Sequence, residues 1–208
     1  MAPKAKRDAP RRSRFPARSA LLDACVLIRL HKCDALSLLA NTIDFIVAEH
    51  AYGEFAAGGP SAKAALARLA IKKRPIVPGS SEWKHFALIR GEFSTVDLGE
   101  DQSIAIALAE ADRDHPTPIV TYDDRAEAKA HRYGVVTVSF LGTLAWLVSC
   151  GLISVEDAEG LEERAAAQDG WKRPAAQAGP LSTQVERLCA ALAPALEVAK
   201  KQRRRPRK

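Results

Sequence analysis

The stretch RSALLDACVLIRL, Arg18 to Leu30, decides how the fold is read. Its first half, Ala20-Leu21-Leu22, is a short continuous apolar run, as expected of a strand buried on both faces of a parallel sheet. Asp23 breaks that run, and apolar residues resume at Val26, Leu27 and Leu30 with helical spacing. A carboxylate beside a core is costly unless a hydrogen-bond donor or a cation meets it. Capping the following helix is one explanation, because Asp is favoured where a strand turns into a helix. A shared cation is the other.

The same strand-then-helix grammar recurs along the chain. DFIV (44–47) reads as a second strand, followed by a helix, EHAYGEFAAG, that stops at Gly58-Gly59-Pro60. SAKAALARLAIKK (61–73) has helical spacing, PIVPG (75–79) predicts a short strand, and SEWKHFALIRGEF (81–93) predicts a weakly patterned helix. VDLGEDQSIAIALAEADRD (96–114) predicts a helix opening near Asp101 with a dense apolar face. TPIVTYDD (117–124) reads as a strand ending in two acids, DRAEAKAHRYG as a short helix, VVTVS as a strand and FLGTLAWLVSCG as a helix closed by Gly151. Alternating strands and helices with short connections predict an α/β fold, a parallel sheet covered by helices on both faces.

In such a sheet ligands bind beyond the carboxyl ends of the strands. Asp23 and the pair Asp123-Asp124 end two strands, Glu54 lies on the helix after another, and Glu100-Asp101 open the apolar helix. Several carboxylates gathered at one edge repel one another unless a divalent cation compensates them. Oxygen ligands without Cys or His point to Mg²⁺ or Mn²⁺. Such an ion, completed by water and substrate phosphate, performs phosphodiester hydrolysis. Asp124 reads as a helix cap or an outer acid, and Thr121 as a strand threonine able to bond a bound water or a phosphate.

Other chemistries are disfavoured. Cys25, Cys33, Cys150 and Cys189 form no CxxC pair, and His31, His50, His131 and the rest form no HExxH group, which argues against zinc. No GxxxxGK[ST] loop supports a nucleotide switch. No apolar run approaches the roughly 18 residues of a membrane span, and the basic N-terminus lacks the apolar core of a secretory signal, so a cytoplasmic protein is expected, away from membranes. Net charge is +6, unevenly spread. Residues 1–18 carry seven Lys/Arg against Asp8, and 200–208 carry seven with no acid, leaving −7 for 19–199. Two basic, Pro-containing tails, expected to be disordered and flanking an acidic body, suit a phosphate backbone. The domain is expected over 19–154, with a helical extension over 155–199, a linker near 170–180, and an amphipathic last helix kinked by Pro194 that presents Val185, Leu188, Cys189, Leu192 and Leu196.

Taken together, LLDACVLIRL, IVAEHAYGEF, LGEDQSIAIALA and IVTYDDRAEAKAHRYGVVTVSFLGTLAWLVSCGLI resemble, in order, the four blocks of the PIN-domain nucleases, which include the toxin ribonucleases of toxin-antitoxin pairs. The resemblance implies a three-layer α/β/α sandwich, metal-dependent endonuclease chemistry usually on single-stranded RNA, frequent homodimers and a possible antitoxin protein. It implies Asp23, Asp123 and one of Glu100 or Asp101 as ligands of the principal Mg²⁺ or Mn²⁺, with Glu54 holding a second metal or orienting water. Both Glu100, within a GE motif, and Asp101, with the toxin-like spacing to Ile104, remain candidates. Cys25 stands where many relatives have a polar residue that orients the first Asp. A non-catalytic nucleic-acid-binding or adaptor protein acting through its basic tails is the alternative.

Overall fold

The computed structural model describes residues 19–40, 44–69, 71–92, 97–149, 151–170, 172, 178–181, 183, 184, 186, 187 and 190. Both basic tails and most of the predicted last helix lie outside the described residues. Five strands form one sheet: β1 (Ser19–Leu22), β2 (Asp44–Ala48), β3 (Lys72–Arg74), β4 (Ile119–Val120) and β5 (Thr137–Val138). Every pairing is parallel, in the order β3-β2-β1-β4-β5. The chain moves outward from β1 through β2 to β3 and then returns to lay β4 on the other side of β1. The carboxyl edge between β1 and β4 is therefore a topological switch point, where connections leave in opposite directions and a crevice opens.

Helices α1 (Ala24–Lys32), α2 (Leu36–Ala40), α3 (Glu49–Ala57), α4 (Pro60–Arg68), α5 (Ser81–Glu92), α6 (Leu98–Asp112), α7 (Asp124–Arg132), α8 (Phe140–Ser149) and α9 (Val155–Asp169) surround the sheet in a three-layer α/β/α sandwich. Ala20, Leu21 and Leu22 on β1 are buried with Val47 and Ala48 of β2 and Val120 of β4, as a doubly covered sheet requires. Residues Phe140 to Leu147 of α8 are all buried, so this helix is core on every side, and Trp146 meets Phe45 edge to face. A Ser154–Asp157 capping box opens α9 and Gly170, at φ +65°, closes it. Its Ala158, Leu161 and Ala165 are buried against a body that includes α8 and α1. The extension expected after residue 154 thus begins as a packed helix. None of the described helices is long and apolar enough to cross a membrane.

Three local expectations need correction. The strand is Lys72–Arg74, paired with Ile46–Ala48, and not PIVPG; Pro75 and Pro78 cannot donate to a ladder, while an edge strand tolerates exposed lysines without an apolar pattern. Helix α4 accordingly ends at Arg68 and does not run to Lys73. Helix α6 starts at Leu98 after Asp97, so Asp101 lies inside its first turn.

Candidate functional site

Asp23 and Asp123 both lie beyond the carboxyl ends of neighbouring strands, Asp23 directly after Leu22 of β1 and Asp123 three residues after Val120 of β4. Each follows its strand in extended backbone and caps the next helix: Asp23 Oδ1 accepts from the Ala24 amide at 2.7 Å, and Asp123 Oδ1 accepts from the amides of Arg125 at 2.7 Å and Ala126 at 3.4 Å. Asp123, and not Asp124, is therefore the cap, and Asp124 is the first helical residue. The Asp23 amide in turn donates to the Val120 carbonyl at 3.1 Å, extending the β1–β4 ladder up to the acid itself. Capping and a place at the crevice thus coexist, because a helix N-terminus that follows a parallel strand lies at that edge.

Thr121 ties the two acids together. Its hydroxyl donates to Asp23 Oδ2 at 2.9 Å and accepts from the Asp123 amide at 3.3 Å. The Cys25 thiol lies alongside, donating to Asp23 Oδ2 at 3.3 Å and accepting from the Tyr122 amide at 3.4 Å. Burial, reinforced by the Asp23 charge, pushes that thiol up to about 12, so it stays protonated and remains a donor. Asp23, only 8% exposed, is oriented by three donors. Asp123 is exposed, and its Oδ2 has no hydrogen-bond partner among the described residues.

The adjacent acids Glu100 and Asp101 part ways. Asp101 is 0% exposed: Lys129 of α7 donates to its Oδ1, and Arg90 of α5 donates to its Oδ2 at 3.2 Å. Both oxygens are engaged in a buried ion-pair network that pins α5, α6 and α7 together. Glu100 is half-buried, and its carboxyl is pushed up to about 7, first by burial and then by the charges of Asp97, Asp23 and Asp123, with Lys129 partly offsetting them. Glu100 therefore shares the electrostatic environment of the two strand-end aspartates. Gly99 explains how it gets there: a Cβ at that position would lie 3.4 Å from the Ala51 backbone nitrogen, so α6 and α3 cross closely one residue before Glu100. Gln102 strengthens the crossing by accepting from the His50 amide at 2.9 Å.

Glu54, one turn further along α3, is half-exposed and pairs with His50 at 3.2 Å. Among the described residues no three Asp, Glu, His or Cys side chains form a ready-made metal cage. The donor set nonetheless suits a hard dication: its atoms are all carboxylate oxygens, and Glu100 is under a negative load that Lys129 only partly offsets. The sequence reading missed Lys129 and Arg90, whose partner lies 28 and 11 residues away and leaves no local signal.

Residues 19–174 match a family model described as a PIN domain. The chain is a PIN-domain protein. No curated protein and no solved structure matches it significantly. PIN domains are generally nucleases and typically use divalent metals, in agreement with an acid-lined crevice at the switch point of this sheet.

Proposed function

We propose that this PIN-domain protein is a Mg²⁺- or Mn²⁺-dependent endoribonuclease, with Asp23, Glu100 and Asp123 as the carboxylates that hold the metal. The observation that carries this reading is the linking of Asp23 and Asp123 through the Thr121 hydroxyl at the switch point of the sheet, with Glu100 close enough that its carboxyl, raised first by burial and then by Asp97, also feels both of their charges. The choice between the paired acids falls on Glu100, because Asp101 has both oxygens committed to Lys129 and Arg90. When bound, the dication would ease deprotonation of an attacking water and offset charge on the phosphodiester. Thr121 and Cys25 hold Asp23 in one orientation, so that little ordering remains to be done when a ligand arrives. Glu54, exposed and paired with His50, is the candidate in this reading for an outer acid that holds a second ion or orients water.

Incubation of the full chain with single-stranded RNA should give Mn²⁺-dependent cleavage that is lost with EDTA and in Asp23→Asn and Asp123→Asn. Asn keeps the helix caps, so both variants should remain folded. RNA retention without cleavage, indifferent to EDTA and to these variants, would instead support the adaptor reading. The toxin reading adds growth arrest on expression, relieved by Asp23→Asn and by a cognate inhibitor protein.

A further inference from the structure

We propose that Arg125 is a substrate-binding residue, its guanidinium gripping a backbone phosphate of the nucleic acid at the rim of the acid crevice; this rests on the nuclease reading above and names the group that holds its substrate. Arg125 lies in the first turn of α7, and its own amide donates to the Asp123 carboxylate at 2.7 Å. Its side chain is exposed and forms no ion pair or hydrogen bond among the described residues. The cations Lys73, Arg74, Arg90, Arg113 and Lys129, by contrast, each pair with a carboxylate. Positions i and i+4 share a helix face, so Arg125 faces the same side as Lys129, which reaches Asp101 in the turn that carries Glu100. Arg125 is one turn nearer the start of α7, where its backbone adjoins Asp123.

Electrostatics gives that position a task. Asp23, Asp97, Glu100 and Asp123 outweigh a single dication, and the Lys129–Asp101–Arg90 network returns only one net positive charge, its cations already held by Asp101. A polyanion approaching such a site needs a cation at the rim, and a guanidinium offers two parallel N–H donors to a phosphate without a desolvation penalty at an exposed position. Neither Asp124, its neighbour in the chain, nor Asp123 pairs with the guanidinium among the described residues, which leaves the fork available.

The test is fluorescence anisotropy of a labelled single-stranded oligoribonucleotide with the full chain carrying Asp23→Asn to stop cleavage, in Mg²⁺, over a range of salt. Arg125→Ala should weaken binding about five- to thirty-fold and lower the salt slope by about 0.7, the value of one phosphate contact on a single strand. Arg125→Lys should recover part of the affinity. Lys84→Ala, an equal change of charge on α5, should alter neither quantity. In the otherwise native chain, Arg125→Ala should raise KM more than it lowers kcat and leave Mn²⁺-induced stabilisation intact. Affinity unchanged by Arg125→Ala, an equal loss with Lys84→Ala, or no binding of the oligonucleotide at all would overturn the assignment. Binding that depends on Arg125 in a chain that cleaves nothing would uphold the contact and sink the nuclease reading instead.

Discussion

Glu100→Gln should make the metal-free protein more stable at pH 8 while leaving it unchanged at pH 4.5. The carboxyl sits at about 7 in the fold against an ordinary 4.5, so ionising it costs the folded state. The penalty is absent below the unfolded value, grows as pH rises from about 4.5, and is complete once pH passes the folded value. At 1.36 kcal/mol per unit the full shift corresponds to about 3.4 kcal/mol, and screening at a half-exposed group brings this to about 1–2 kcal/mol. For a chain of this size the variant should melt about 2–8 °C higher at pH 8 and within about a degree of the parent at pH 4.5. Mn²⁺ should reverse the order. At a concentration a hundred times its dissociation constant it stabilises the parent by about 2.7 kcal/mol, and most of that gain should vanish in the variant. Calorimetry at both pH values, with and without Mn²⁺, reads all four corners. A variant that melts lower than the parent at pH 8 without metal, or a difference that persists at pH 4.5, would refute the electrostatic account of the crevice.

Thr121→Val should reduce Mn²⁺ affinity and cleavage about ten- to a hundred-fold in titrations, and Thr121→Ser should retain most of both, because the hydroxyl orients Asp23. Asp101→Ala should cost about 3–5 kcal/mol in denaturant unfolding by taking the paired carboxylate away from the buried Lys129. Gly99→Ala should be tolerated, since its Cβ would make ordinary contact with Ala51, whereas Gly99→Val should lower the melting temperature and separate α6 from α3. Iodoacetamide at pH 8 should modify Cys25 far more slowly than a free thiol, a prediction checked by peptide mass mapping.

The sequence announces its strands where a helix-covered sheet demands apolar runs: ALL before Asp23, FIV before Ala48 and IV before Thr121. It hides β3, because an edge strand made of Lys72, Lys73 and Arg74 has no buried face to advertise. The acids at the strand ends were visible for the same reason as the strands, since each interrupts a hydrophobic run. The division of labour between Glu100 and Asp101 was not. Adjacent residues on a helix point about 100° apart, and which direction meets the crevice depends on the rotation of α6 against α3 and α7. That rotation is set by Gly99 against Ala51 and by Lys129 and Arg90 closing on Asp101, contacts between segments distant in the chain. Thr121 reads as an ordinary strand residue until β1 and β4 are laid side by side.

That Asp23 and Asp123 cap helices has an evolutionary corollary. A descendant of this chain without metal chemistry would still need a capping side chain at both places, since alanine at either would cost about 1 kcal/mol of folding free energy, while Asn or Ser would serve as well as Asp. A polar residue preserved at those two places is therefore a poor witness to a living enzyme, and only Asp kept in preference to Asn or Ser speaks for the chemistry. Glu100 caps nothing and burdens the fold when charged, so selection released from chemistry should discard it first, and its survival is the better sign of a working nuclease.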